Sequence, residues 1–236
     1  MFIQYWVNMA SKKELHNGFT LIELSIVIVI IGLVVSAVVA GQSLVKQAKI
    51  RSEINMLTEY TVGVNTFYSK FGTIPGDLSS AQDYWGVGTE NGNGNKKLEH
   101  SVNDQLYNFE RPLFFEHLSL SGLINGQYDG SSTLGVGYPV SKIKETLGFV
   151  AGYQYRNICT SKQELAFWFS VVTHANMPNI NFSDNLVTQE EGLDPIVVSS
   201  IDNKIDDGSF TSGKYGAINC TAATKTDACR VCYSIR

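Results

Sequence analysis

Proline is scarce in this sequence, and basic residues do not outnumber acidic ones. There are 5 Pro among 236 residues, and 18 Lys and Arg stand against 22 Asp and Glu. With 44% hydrophobic and 17% charged residues, these numbers exclude a disordered tail protein, a collagen and a polytopic membrane protein. The formal net charge of -4 argues against binding through summed positive charge, so we expect no nucleic-acid partner.

Recognisable catalytic patterns are missing as well. The sequence has no G-x-S-x-G, P-loop, H-E-x-x-H or complete G-x-G-x-x-G pattern. Its histidines are dispersed, and no pair of acidic residues can be placed on one face of an element. The histidines are His16, His100, His117 and His174. We therefore expect a protein that is not an enzyme.

Charge is nearly absent from one segment near the amino terminus. Residues 19–45 contain Glu23 as their only ionisable side chain, and residues 24–41 form an uncharged run of 18. That length reaches the minimum for a helix that spans a bilayer. Lys12 and Lys13 precede the span and favour a cytoplasmic amino terminus, which predicts that the chain after about residue 46 lies across the membrane.

Residues 18–25 read Gly-Phe-Thr-Leu-Ile-Glu-Leu-Ser, directly before the apolar run. In this order the sequence resembles the prepilins of type IV pili and the pseudopilins of type II secretion systems. The resemblance implies that a prepilin peptidase cleaves between Gly18 and Phe19 and methylates the new amino group of Phe19. Ordinary signal-peptide cleavage after Ala40 is the alternative. A start at Met9 instead of Met1 would shorten the leader, and the sequence leaves both starts open.

Glu23 lies five residues into the mature helix that this cleavage would create. A carboxylate inside a membrane helix costs about 2.5–3.5 kcal/mol, so it should have a partner or a function. The freed ammonium of Phe19 on a neighbouring subunit is a candidate partner, and the pair would fix the register between subunits. Alternatively, Glu23 reaches the lipid headgroups. A stripe of small residues suitable for helix packing follows at Gly32, Ser36 and Ala40.

The resemblance implies an α+β, type IV pilin-like fold in which one long helix packs on an antiparallel sheet. We predict a leader over residues 1–18, a helix over 19–71 and a globular domain over 72–236. The helix divides into a membrane or filament-core segment, 19–45, and an amphipathic half, 46–71. The polar residues that predict emergence into water are Lys46, Lys49, Arg51 and Glu53, and the apolar stripe is Leu57, Tyr60, Val64, Phe67 and Phe71. Gly72 and Pro75 should end the helix.

The remaining segments predict short helices and strands. A helix is expected over residues 109–124, and another begins at Asp194 and Pro195, where Asp caps and Pro occupies the first turn. β-Branched and aromatic runs predict strands over 133–140, 149–155, 167–172 and 230–235. The turn over residues 71–77 and the Gly/Asn-rich loop over 86–95 should be irregular.

The four cysteines are Cys159, Cys220, Cys229 and Cys232, all beyond the apolar segment. An oxidising compartment makes disulfides the expected state, and three pairings are available. We favour Cys220 with Cys229 or Cys232, and Cys159 with whichever remains. A redox pair of Cys229 and Cys232 and a zinc site are weaker alternatives.

A calcium site is a further hypothesis, since some major pseudopilins bind calcium. Oxygen ligands alternate with glycines in one loop, at Glu90, Asn91, Asn93 and Asn95, with Glu99 nearby. A second acidic cluster contains Asp202, Asp206 and Asp207. The competing interpretation of both is a solvated turn.

Taken together, the resemblance implies a structural subunit of a type IV pilus-like or type II secretion filament. Its partners would be other pilins or pseudopilins in a homo- or hetero-filament, the prepilin peptidase and an inner-membrane assembly platform. It would begin as a single-pass inner-membrane precursor and end in a periplasmic or cell-surface filament. The alternative is a membrane-anchored periplasmic binding protein or hydrolase. The sequence does not separate pilin, minor pilin and pseudopilin.

Overall fold

The computed structural model describes residues 18–98, 110–131, 133–153, 165–171, 192–218, 220 and 229–235. Contacts divide the chain into two units, Met1–Val45 and Lys46–Arg236. Helix α1 (Leu21–Phe71) contributes residues to both units. The described elements are this long helix, short helices and a small antiparallel sheet, which confirms the predicted α+β class. Of the predicted leader, only Gly18 lies within the described residues.

The second half of α1 packs through one apolar stripe, as its periodicity predicts. Leu57, Tyr60, Val64 and Phe67 are buried at spacings of three or four residues, and Phe71 is partly buried. Residues at these spacings lie on the same face of a helix. The stripe therefore supplies the surface on which the rest of the second unit packs.

A glycine ends α1 where the sequence predicts. Gly72 has a φ of +73°, a left-handed conformation that costs glycine little because it has no Cβ. Its N–H donates to the carbonyl of Tyr68 at 2.9 Å. Pro75 follows and has no N–H with which a helix could continue.

Tyr60 connects three elements in the core of the second unit. Its ring packs edge-on against Phe115 of α3 (Glu110–Leu120), with centroids 5.6 Å apart, and against Phe149 of strand β1 (Leu147–Tyr153), with centroids 5.5 Å apart. Edge-to-face pairs at this separation add to the stabilisation from burial. Tyr60 thus joins α1, α3 and the sheet.

Helix α3 is shorter than the predicted segment 109–124. It ends at Leu120, and Gly122 follows with a φ of +70°. The N–H of Leu123 donates to the carbonyl of Leu118 at 3.1 Å, and that of Gly122 donates to Ser119 at 3.0 Å. This is a Schellman motif, which satisfies the last carbonyls of the helix. A further helix, α2 (Ala81–Trp85), was not expected from the sequence.

Helix α4 (Pro195–Ile205) begins as predicted. The carboxylate of Asp194 accepts a hydrogen bond from the N–H of Ile196 at 2.8 Å, and Pro195 occupies the first turn, where its missing N–H has no cost. Val197 and Ile201 face the core. The cap and the apolar face together fix the start and orientation of α4.

In the part of the chain that the structure describes, the sheet has four antiparallel strands in the order β1-β2-β4-β3. The strands after β1 are β2 (Leu165–Val171), β3 (Tyr215–Ile218) and β4 (Arg230–Ser234). The register pairs Phe149 with Phe169, Phe167 with Tyr233, and Gly216 with Cys232. The strands predicted at 149–155, 167–172 and 230–235 are confirmed with shifted ends, and residues 154 and 155 and residue 172 lie outside the described part.

The prediction of a strand over residues 133–140 is wrong. This segment is a tight turn in which Gly135 has a φ of +81° and donates to the carbonyl of Tyr138 at 2.7 Å. Gly137 donates to the carbonyl of Thr133 at 2.8 Å. These local bonds use backbone groups that a strand would offer to a neighbour, so the glycines outweigh the β-branched residues around them.

Of the two preferred disulfides of Cys220, with Cys229 or with Cys232, the first is present. Cys220 is bonded to Cys229, nine positions later, and this bond closes a short loop before β4. Cys232 is also disulfide-bonded. The fourth cysteine, Cys159, lies outside the described residues. A bond that closes a chain loop restricts the unfolded state and thereby stabilises the fold.

Candidate functional site

The candidate site is the amino-terminal segment from Gly18 to the end of the uncharged run. Gly18, Phe19 and Thr20 precede α1 and are exposed, with Phe19 at 86%. Every Phe, Leu, Ile and Val side chain between positions 19 and 45 is more than half exposed. By length and composition, this part of α1 is apolar enough to cross a membrane.

Glu23 has a local role that the sequence analysis missed. Its Oε2 accepts hydrogen bonds from the N–H and the hydroxyl of Thr20, both at 2.8 Å, and the Thr20 hydroxyl accepts from the N–H of Glu23 at 3.3 Å. This is a capping box, in which Thr at the N-cap and Glu three residues later satisfy each other's backbone donors. The spacing Thr-x-x-Glu was the available signal. Within the described residues, Oε1 of Glu23 accepts no hydrogen bond.

The small residues of α1 lie on one face, as their spacing of four requires. The hydroxyl of Ser36 donates to the carbonyl of Gly32 at 2.9 Å, so this polar group has a hydrogen-bond partner within the helix. A Cβ built at Gly32 meets no atom within 4 Å. The face is therefore open to a partner helix, and packing through Gly32, Ser36 and Ala40 stays a prediction.

The predicted calcium loop is held together by its own side chains. The side-chain oxygens of three asparagines accept hydrogen bonds from backbone N–H groups: Asn91 from Gln82, Asn93 from Asn95, and Asn95 from Lys97, at 2.8–2.9 Å. The backbone carbonyl of Glu90 contacts the ring of His117 at 3.1 Å. These contacts account for the loop's conformation without a metal, and Glu99 lies outside the described residues. Calcium binding here stays a prediction.

His117 is a structural histidine. Its Nδ1 accepts from the N–H of Gly76 at 3.0 Å, so Nε2 carries the proton that it donates to Glu90. Burial lowers the pKa of His117 to about 4, and the ring is neutral at physiological pH. It ties the turn at 71–77 and the Gly/Asn-rich loop to α3. The other histidines lie outside the described residues.

Glu53 corrects one expectation. The sequence interpretation places it among residues that emerge into water, but its side chain is fully buried. The carboxylate accepts from the hydroxyl of Ser141 at 2.6 Å and from the N–H of Lys142 at 2.7 Å. Burial raises the pKa of Glu53 to about 7. Glu53 therefore anchors the loop before β1 to α1.

Comparison with known proteins identifies the amino-terminal signature. A family model described as a prokaryotic N-terminal methylation motif matches residues 15–39, which include Gly18, Phe19 and Glu23. This motif is the signature of type IV pilins and pseudopilins, so the predicted resemblance is confirmed over that segment. It supports a precursor of the pilin or pseudopilin type, and the architecture is consistent with an α+β pilin-like fold. No curated protein and no solved structure matches the chain.

Proposed function

We propose that the chain is a structural subunit of a type IV pilus-like or type II secretion filament. It inserts in the membrane through residues 19–45, is cleaved between Gly18 and Phe19, and is methylated on the Phe19 amino group. The match of the methylation motif to residues 15–39, at the start of an exposed apolar helix, carries this proposal.

The exposure of the apolar half of α1 supports assembly. Removing one large aliphatic side chain from water stabilises by about 1.5–3 kcal/mol, and each such residue between positions 19 and 45 is more than half exposed. In the precursor, lipid covers this apolar surface, and in a filament the helices of neighbouring subunits cover it. The stripe of Gly32, Ser36 and Ala40 permits close approach of those helices.

The carboxylate of Glu23 can make two contacts at once, one through each oxygen. Oε2 is used by Thr20 of the same chain, whereas Oε1 is available to the Phe19 ammonium of a neighbouring subunit. Cleavage creates that ammonium, so the pair cannot form in the precursor. A charge pair removed from water also fixes the axial position of one helix against the next, because a displaced subunit would leave both charges unpaired.

Cleavage is tested with Gly18→Leu in cells that contain the assembly system. We expect the uncut precursor to accumulate in the membrane and the sheared filament fraction to lose the protein. Gly41→Leu is the matched control for cleavage, because Gly41 lies beyond the matched motif and has open surroundings. A membrane-anchored binding protein or hydrolase would tolerate Gly18→Leu, and that result would refute the proposal.

The charge pair is tested by separating the two roles of Glu23. Glu23→Ala removes both the cap and the pairing group, whereas Thr20→Ala removes the cap and leaves the carboxylate. We expect Glu23→Ala to insert and to be cleaved but not to enter filaments, and Thr20→Ala to assemble. Equal loss of assembly in both variants would assign Glu23 to helix capping alone.

A further inference from the structure

Asparagine followed by glycine is a chemically labile pair, and the sequence contains several of them. They are residues 17–18, 91–92, 93–94 and 125–126. In such a pair the backbone nitrogen of the glycine attacks Cγ of the asparagine, and glycine has no Cβ to obstruct the approach. Asn17 lies outside the described residues, so the remaining pairs are the ones that the fold can be seen to protect or expose.

Two of these pairs are protected through the nitrogen of their glycine. The N–H of Gly92 donates to the carbonyl of Leu78 at 2.9 Å, and the N–H of Gly94 donates to the carbonyl of Asp77 at 3.1 Å. A Cβ at Gly92 would also overlap the carbonyl oxygen of Gly76, so the backbone there is closely packed. These hydrogen bonds must break before either nitrogen can attack, which slows the reaction.

The pair at residues 125–126 has no such protection. In the described part of the chain, the N–H of Gly126 donates no hydrogen bond. Both Asn125 and Gly126 are exposed to water, and Gly126 has a φ of +104°, which glycine adopts at little cost. The attacking nitrogen is therefore free, and water can reach the product.

Asn125 also fastens its loop to α1. Its Nδ2 donates to Oε1 of Glu59 at 2.8 Å, and its backbone N–H donates to the same oxygen at 2.5 Å. One turn further along α1, a Cβ at Gly63 would lie 3.0 Å from Ile124, so the loop and the helix pack closely. An amide donor suits this position, whereas a second carboxylate would repel Glu59.

We propose that Asn125 is a site of spontaneous deamidation, and that the reaction releases its loop from Glu59. The nitrogen of Gly126 forms a bond to Cγ of Asn125 and gives up its proton, the Cγ–Nδ2 bond breaks, and Nδ2 leaves as ammonia. Water then opens the resulting succinimide to aspartate or isoaspartate. The overall reaction consumes water, releases ammonia and involves no oxidation or reduction. The product has a carboxylate where the Nδ2 donor was, and isoaspartate also lengthens the main chain beside the second donor.

The test incubates the purified full chain in detergent at mildly alkaline pH and follows each asparagine by peptide mass spectrometry. We expect aspartate and isoaspartate to form at residue 125 at least about five times faster than at residues 91 and 93, the factor that corresponds to one net backbone hydrogen bond. In a sample unfolded in urea, the rates at these positions should converge. Similar rates in the folded chain, an intact residue 125, or the same ratio of rates in both samples would overturn the proposal.

The effect on the contact with α1 is tested with Asn125→Asp, which places the charge of the product directly. Gln127→Glu is the matched control, because Gln127 is exposed in the same loop and forms no hydrogen bond to Glu59. We expect Asn125→Asp to have a lower Tm than Gln127→Glu, and we expect Glu59→Gln to reduce this difference by removing the repulsion. Equal Tm values, or a difference that Glu59→Gln leaves unchanged, would overturn the release of the loop.

Discussion

Replacing Glu53 with glutamine should remove a pH dependence from the stability of the second unit. Glu53 is buried in α1, with hydrogen bonds from Ser141 and Lys142. Glutamine preserves both contacts if its carbonyl accepts from the Lys142 N–H and its amide donates to the Ser141 hydroxyl. The buried phenols that face Glu53, Tyr60 and Tyr215, have pKa values raised by burial and stay neutral in this range.

The sign and size of the effect follow from the pKa of Glu53. The folded pKa is about 7 against 4.5 in the unfolded chain, because burial disfavours the charge. Below pH 4.5 both states hold the proton, and as the pH rises to 7 only the folded state keeps it. Stability therefore falls by about 3 kcal/mol across this window, at about 1.36 kcal/mol for each of about 2.5 units. For a unit of this size, that is a Tm change of about 6–12 °C.

The assay is thermal unfolding of the full chain in detergent at pH 4.5 and pH 8, with the parent and Glu53→Gln side by side. The difference in Tm between the two chains isolates the contribution of Glu53 from those of Glu116 and His117, whose pKa values are also shifted. We expect similar Tm values at pH 4.5 and a more stable variant at pH 8. Glu145→Gln, an exposed carboxyl in the same loop, is the control. A variant that keeps the parent's pH slope would refute the reasoning.

Three further predictions concern the second unit, each measured by urea unfolding. His117 should contribute a loss of about 3 kcal/mol as the pH falls from 6.5 to 4, because its pKa is lowered to about 4 in the folded state. This contribution should appear as the difference in unfolding free energy between the parent and His117→Gln, since the raised pKa values of Glu53 and Glu116 act in the opposite direction in both chains. Gly76→Ala should lower the free energy of unfolding clearly more than Gly86→Ala. Both glycines have a positive φ, but only at Gly76 would a Cβ overlap a backbone carbonyl. Equal losses in the two variants would contradict this. Asp194→Ala should lower the free energy of unfolding by about 1 kcal/mol, because the N-cap of α4 is lost. An unchanged urea midpoint would contradict a stabilising role of this cap.

Local signals account for the elements that sequence reasoning predicted correctly. The stripe from Leu57 to Phe67 and the Asp194–Pro195 start of α4 are patterns within one helix, and their periodicity or capping chemistry is independent of the rest of the chain. The same is true of the Gly72 stop. The methylation motif is also local, because the match lies within residues 15–39.

Features that depend on distant partners were not predictable in this way. Glu53 is separated by 88 positions from Ser141, its hydrogen-bond partner, and nothing near Glu53 in the sequence indicates burial. Strand β3 contains only Tyr215–Ile218, including a glycine, and is a strand because β4 pairs with it. Conversely, residues 133–140 have strand-forming side chains but no ladder, because their glycines close a local turn.

The mature amino terminus tests the central claim most directly. Mass spectrometry of the native protein, isolated from the membrane and from sheared filaments, should find a chain that begins at Phe19 with a methylated amino group. The mass of the remaining chain should be consistent with disulfide-bonded cysteines. A native protein that begins with methionine, or at any residue after the apolar segment, would contradict the account.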